Sequence, residues 1–506
     1  MPQRTTQLLG LVLAAACGGN AQPANPGDVD AGKPAADGGG GASGDGGGSG
    51  GAGSGKGGSS GKAGAGSGGA GAAAVGGGAG AGGSAAAGSG GSGAGSGAGG
   101  AGGTGGAGAS AGTGGAPAES PWKDLPTQSL TASAPPTTAA NATGQTPAFA
   151  GQTRAPAPAT LSKIKVQTIT DALTSPWGVE ALRDGRFVVT ERGGTLRVVT
   201  TDAQLSDPIA GMPEVFNSGQ GGLLDVAVDE STEPMTLCIT FSKPREDGKN
   251  STAASCTTAT GTGSLTLQPL QMVFQQEPAW NSAQHFGSRF VFAPDGLVYI
   301  TTGERSVSDA RGLSQDKTAA LGKVIRLKRD GSAPSDNPFA ADSGAAPQVW
   351  SYGHRNLQAA ALDLENRIWT VEHGPRGGDE LNMPQAGKNY GWPIITYGID
   401  YSGQPIGDGI TQMAGMEQPV YFWDPVIAPS GMLIYSGNLF SNWRGDVFIG
   451  GLVAQALVHL KLENDKVVSE ERFDLGARVR DVTQGPDGAI YVITENDGRL
   501  LRLTPE

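Results

Sequence analysis

From Leu161 onward, apolar and polar residues alternate in short runs broken by turn residues, and one phrase recurs: an alternating strand, a tight turn, then a second short apolar strand. It reads VEALRDGRFVVTE, FVFAPDGLVYITTGE, AALDLENRIWTVEHG and VTQGPDGAIYVITEN, with turn pairs at Asp184-Gly185, Asp295-Gly296, Glu365-Asn366 and Asp487-Gly488. These pairs supply the residues that tolerate positive φ in short hairpin turns. LLDVAVDESTEPMTLCITF and LIYSGNLFSNWRGDVFIGGL are two looser copies. Sustained helical periodicity is absent, which predicts an all-β fold. A large β-sandwich is the structural rival, but repetition of one unit six times predicts a six-bladed β-propeller. The phrases are shorter than the blades they must span, so the excess falls in loops, and in propellers the loops of one face build the site.

Upstream the pattern vanishes. Of 506 residues 87 are Gly, and most crowd into the stretch from Ala36 to Gly115, which is almost wholly Gly, Ala and Ser. Such a segment has too little side-chain area to offset the entropy of ordering and predicts a flexible tether. Ala116 to Ala159, rich in Pro, Thr and Ala, is read as a stiffer continuation without chemistry. The expected organisation is a lipoprotein-type signal at 1–17, a low-complexity disordered linker at 18–160, and the propeller at 161–506.

The first residues, MPQRTTQLLGLVLAAACGGN, hold one Arg and an apolar run from Leu8 to Ala16 that is too short to span a bilayer. They resemble a bacterial lipoprotein signal, in which the Cys after the small residues is lipidated, although Ala14 stands where such signals usually carry Leu. An ordinary secretory peptide is the alternative. The resemblance implies export and membrane attachment only through a lipid on Cys17, and Gly18, where Asp would favour inner-membrane retention, points to the outer membrane. The net charge of -12, without a basic block, excludes a nucleic-acid partner whose phosphates would need neutralising.

Cys238 and Cys256 lie symmetrically about Asp247-Gly248, as cross-strand partners in a long hairpin would. In an exported chain they form either a disulfide or two free buried thiols, structural in both cases.

Candidate chemistry gathers in loops. Of the four histidines, His459 lies in the strand ALVHLKL and reads as a satisfied hydrogen-bonder, whereas His285 immediately precedes a blade strand, where a neutral imidazole could face the axis as a base. GHRN sets a cation, Arg355, beside an amide, Asn356, suited to an oxyanion or a quinone carbonyl. EHGPRGGDE brings the Gly374 and Pro375 carbonyls into a turn near Asp379 and Glu380, oxygen donors of the kind calcium takes, or a merely solvated acidic turn. GARVRDV sets Arg478 and Arg480 two apart on a strand, either a clamp for a multiply carboxylated ligand or a solvent-facing pair.

Taken in order, PWGVEALRDGRFVVTERGGTLRVV, GQGGLLDVAVD, HFGSRFVFAPDGLVYITTGE, LGKVIRLKRDGSAPSDNPF, YGHRN, EHGPRGGDELN, GKNYGWP, IAPSG and RVRDV resemble the soluble aldose sugar dehydrogenases that depend on pyrroloquinoline quinone (PQQ), the glucose/sorbosone dehydrogenase family. The resemblance implies oxidation of an aldose to a lactone by hydride transfer to PQQ, with calcium polarising the quinone and a separate electron acceptor of unspecified identity. It implies that Gln220 and His285 face the sugar, with His285 as base supported by Glu304, that Arg355 and Asn356 contact the quinone, that Gly374 and Pro375 hold calcium, and that Arg478 and Arg480 hold PQQ carboxylates. Two departures stand out. Glu304 replaces a shorter Asp, and IGGLVAQALVHL lacks a Lys that helps bind PQQ, with Val453 or a neighbour in its place. A calcium-dependent lactonase and a non-catalytic cell-surface binding propeller are the rival functions.

Overall fold

The computed structural model describes residues 121–506; the signal at 1–17 with Cys17, and the Gly-rich stretch, lie outside the described residues. Six antiparallel sheets form a six-bladed β-propeller. The innermost strands are Pro176–Ala181, Leu223–Asp229, Gly287–Phe292, Leu357–Leu362, Pro429–Ile434 and Val479–Gln484, each packed against the next around a closed ring. All six copies of the repeated phrase supply the two inner strands of one blade, and each turn pair falls in the link between them.

The second strands Phe187–Glu191, Ile368–Glu372, Val447–Gly451 and Ile490–Thr494 are buried throughout, because each lies between two neighbouring blades and has no solvent face. Six apolar clusters fill the wedges, such as Leu196, Val226 and Ile239 between the first two blades and Trp369, Val447 and Val458 between the fourth and fifth. Each such side chain contributes about 1.5–3 kcal/mol by leaving water, so the stability of the ring is spread over its six interfaces.

The ring closes where Lys163–Thr170 pairs antiparallel with the C-terminal strand Leu500–Pro505, so the last blade contains both ends of the repeat. The bond between Cys238 and Cys256 is formed, with the sulfurs 2.01 Å apart, across directly paired positions of the hairpin Met235–Pro244 and Asn250–Thr260.

The expected linker at 18–160 needs correction over its last forty or so residues. Thr127–Thr131 adds a further strand beside Lys163–Thr170, and Trp122 is buried against Phe187 and Tyr491. Residues 134–157 then run as a strap over the fourth and fifth blades. Gln152, fully buried, donates from Nε2 to the Pro419 carbonyl and accepts at its own carbonyl from Phe422 N, while Ala155 N donates to the Tyr421 hydroxyl. The strap is held by backbone groups and amide side chains, which composition does not count, and this is why a Pro- and Thr-rich stretch read as tether.

Candidate active site

At one end of the propeller axis Trp177, Leu224 and Phe286 pack together and line a cavity. The loop His373–Asp379, the segment around Leu452 and Val453, and Arg478 with Glu495 close its other sides. The floor is thus aromatic and apolar, and the walls are polar.

His285 sits in a tight turn ahead of the third blade. Its own φ is +49°, and Gly287 follows at +67°, where an added Cβ would lie 2.6 Å from the Thr302 backbone. Only glycine fits there, and the turn it permits fixes the ring. His285 Nδ1 lies 2.7 Å from Glu304 Oε1, and its backbone N donates to Gln220 Oε1 at 2.8 Å. Burial first, then the Arg355 charge, lowers the His285 pKa to about 4 against the opposing pull of Glu304. The ring is therefore neutral at pH 7. With Glu304 held ionised by His285 and nearby cations, the Nδ1 proton points to Glu304, and among the described residues no group hydrogen-bonds Nε2.

Four guanidinium groups, Arg192, Arg376, Arg478 and Arg480, line the cavity against two carboxylates, Asp379 and Glu495. Glu495 Oε2 accepts from Arg478 Nε at 2.9 Å. Arg480 lies 4.2 Å from the Trp177 ring centre and donates both terminal nitrogens to Gln358 Oε1, at 3.3 and 3.2 Å. Beneath, Arg289 also approaches Trp177, at 4.6 Å, and its Nη1 bridges Asp225 and Asp481 at 2.6 and 2.8 Å. Such a wall favours a planar, multiply anionic ligand laid on an aromatic floor.

The residues singled out from sequence fall into two groups. Gln220, Gly374, Pro375, Arg478 and Arg480 line the cavity; His285, Glu304, Arg355 and Asn356 lie in the layer immediately behind it. Arg355 donates to the carbonyls of His373 and Gly374, which ties that layer to the wall. The Asn356 Oδ1 accepts from Gly287 N at 3.1 Å, so the amide pins the His285 turn, while its buried Nδ2 and the buried Nε of Arg355 have no hydrogen-bond partner among the described residues. Val453, in the segment where the resemblance implies a Lys at this residue or a neighbour, also lines the cavity.

The turn near Gly374 differs from its expected form. Asp379 Oδ1 accepts from Gly374 N, and Oδ2 from Ile427 N and Ala428 N, so its carboxylate ties two loops together and is not a free cation ligand. Burial nevertheless pushes its pKa up to about 7. Glu380 is tied to Asn382. Among the described residues the Pro375 carbonyl makes no backbone hydrogen bond, whereas the Gly374 carbonyl accepts from Arg355 Nη1. His459 is clamped between Asp446 and Glu471, a structural pairing as the sequence suggested.

Sequence reasoning missed Trp177, His373 and Arg376, although PWGVE and EHGPRGGDE contain them, because neither motif shows which side chain turns toward the axis. It also missed Asn141, which reaches the cavity from the strap and carries no local signal.

Residues 173–502 match the model of the family Glucose / Sorbosone dehydrogenase. The chain is 40% identical over 361 residues to an aldose sugar dehydrogenase of Escherichia coli, covering 69% of this chain and 94% of that protein. The crystal structure of a soluble aldose sugar dehydrogenase from Escherichia coli in its apo form is similar at 39% identity and a TM-score of 0.64, covering 68% of this chain and all of that one. The PQQ-bound form of an aldose sugar dehydrogenase from Streptomyces coelicolor is similar at 28% identity and a TM-score of 0.54, over 67% of this chain and 98% of the other. With the propeller, the histidine and the guanidinium wall in place, the chain belongs to the glucose/sorbosone dehydrogenase family.

Proposed function

We propose that this protein oxidises aldose sugars at the anomeric carbon to lactones, with PQQ as the bound oxidant and His285 as the base. The observation that carries the reading is His285 itself: a neutral ring with Nδ1 locked on Glu304 and Nε2 unbonded, beside a cavity walled by guanidinium groups.

PQQ suits this donor set. Arg478 and Arg480 would hold its carboxylates, and the orphaned nitrogens of Arg355 and Asn356 are donors suited to its quinone side. When bound, PQQ supplies the acceptor for the hydride that leaves the sugar carbon. Calcium would take the Gly374 and Pro375 carbonyls and supply positive charge beside the quinone; two carbonyls fall short of its usual six to eight oxygens, so cofactor oxygens and water must make up the rest.

The protein's own part is orientation and proton transfer. Gln220, tied to His285 N, positions the sugar, and Nε2 accepts the anomeric hydroxyl proton as the carbon loses hydride. Glu304 steadies the imidazolium that forms. The electron acceptor that restores the oxidised cofactor is a separate partner. The N-terminal sequence supports a separate part of the proposal, export and outer-membrane anchoring by a lipid on Cys17, which metabolic labelling with a palmitate analogue tests.

The test is dye-linked oxidation of an aldose panel by the purified apo-protein, with and without PQQ and calcium, beside His285→Ala. Turnover that needs both additions and is lost in the variant supports the dehydrogenase. No turnover together with no PQQ binding overturns it and favours a binding propeller.

A further inference from the structure

Resting on the sugar-oxidising reading, we infer that Asn141, carried by the strap, is a positioning residue for the sugar, acting through Arg376 at the cavity mouth. The strap lies ahead of the family match, which begins at residue 173. Yet Asn141 and Arg376 both line the cavity, so a segment outside the matched propeller contributes to the site.

Asn141 is fixed from three sides. Its backbone N and Nδ2 both donate to Asp424 Oδ1, at 2.8 and 3.0 Å, and the next residue, Ala142, donates its N to Asp424 Oδ2 at 2.9 Å. Arg154 Nη2 joins the Thr138 and Asp424 carbonyls, stapling the strap to the same loop. Gln145 Nε2 adds bonds to the Thr396 and Gly398 carbonyls. The remaining group, Asn141 Oδ1, accepts from Arg376 Nε at 3.2 Å.

That bond decides what Arg376 can do. Arg376 is exposed, makes no ion pair among the described residues, and its two terminal nitrogens have no hydrogen-bond partner there. An unheld arginine at a surface spreads over many rotamers, and ordering it on binding costs affinity. Held at Nε by a rigid amide, the fork presents two donors at the mouth, suited to paired ring hydroxyl oxygens of an aldose. The other guanidinium groups of the cavity are engaged elsewhere: Arg192 with the Gly219 carbonyl, Arg478 with Glu495 and Arg480 with Gln358. Arg376 is therefore the guanidinium left for the sugar, and Asn141 aims it.

The experiment is a double-mutant cycle in the full chain: wild type, Asn141→Ala, Arg376→Ala and the double variant. Each is loaded with PQQ and calcium and assayed with D-glucose, and the same four proteins without PQQ are titrated with D-glucose by calorimetry. The expected result is a rise in KM and in the glucose Kd of about tenfold for either single variant, the effect of one hydrogen bond to a charged group, with kcat changed less than twofold. The double variant should be no worse than Arg376→Ala, since Asn141 works through it. A merely structural strap would instead lower the melting temperature and add its effect to that of Arg376→Ala; that outcome overturns the inference, as does an unchanged KM in Asn141→Ala. If the wild type shows no turnover, the oxidation reading fails alone, and the calorimetric cycle still decides: coupled losses of glucose affinity support the Asn141–Arg376 pair, and equal or undetectable binding in all four proteins overturns it.

Discussion

The side chains of His285 and Glu304, nineteen positions apart in sequence, meet at 2.7 Å with the ring almost wholly buried. Glutamate is one methylene longer than the aspartate that the resemblance implies at its position, and the contact is still made. Glu304 raises the basicity of His285. Glu304→Gln should remove that support and lower kcat about 10²-fold with PQQ binding retained, which stopped-flow reduction of the loaded protein by glucose would measure.

The pH profile follows from the same pair. His285 must be neutral to accept a proton, and its pKa is lowered to about 4, so kcat/KM should hold flat from neutral pH downward and fall only as pH approaches 4. In Glu304→Gln the loss of the opposing carboxylate should move that limb lower still. Stability runs the same way. His285 and His373, at about 4 and about 3, bind fewer protons folded than unfolded, so their contribution to stability is lost as pH falls below about 6.5, while the buried Asp379 carboxyl, raised to about 7, contributes in the opposite direction over that range. A profile with its acid limb near 6.5 would show an ordinary solvated imidazole and rule out this site geometry.

Val453 lines the cavity, and it or a neighbour stands where the family resemblance implies a lysine. Val453→Lys should tighten PQQ binding about tenfold at low ionic strength, with the gain shrinking as salt rises, and Arg478→Ala and Arg480→Ala should each weaken it, since both guanidinium groups line the cavity. Fluorescence quenching on PQQ titration checks both.

Arg289 is the cation between two buried carboxylates, Asp225 and Asp481. Arg289→Met should cost about 3–5 kcal/mol, because it strands two buried charges, and denaturant unfolding would show it as a lower midpoint. Asp225→Asn alone should cost less, since Asp481 still neutralises the guanidinium.

Reduction of the Cys238–Cys256 bond, or the Cys238→Ser variant, should lower stability by about 2–4 kcal/mol and leave the KM for sugar unchanged. The bond joins two strands of one blade, away from the cavity residues. Urea melts with and without reductant give the number.

The repeated strand-turn-strand phrase was enough to determine the all-β propeller and its six blades, because a period-two pattern with Asp-Gly turns is a local property that each copy states for itself. Ordered motifs likewise pointed to His285, Arg355 and the Arg478–Arg480 pair. What they could not give is direction. Whether Asp379 binds a cation or ties down Gly374 N, Ile427 N and Ala428 N depends on which loop crosses it, and whether Asn356 meets a ligand or pins Gly287 depends on a turn at positive φ. The strap shows the limit best. Its segment offers few apolar residues, so its composition spoke for a tether, and only the folded blades, by presenting Asp424, Pro419 and Tyr421 to its amides, supply the hydrogen bonds that order it and bring Asn141 to the cavity.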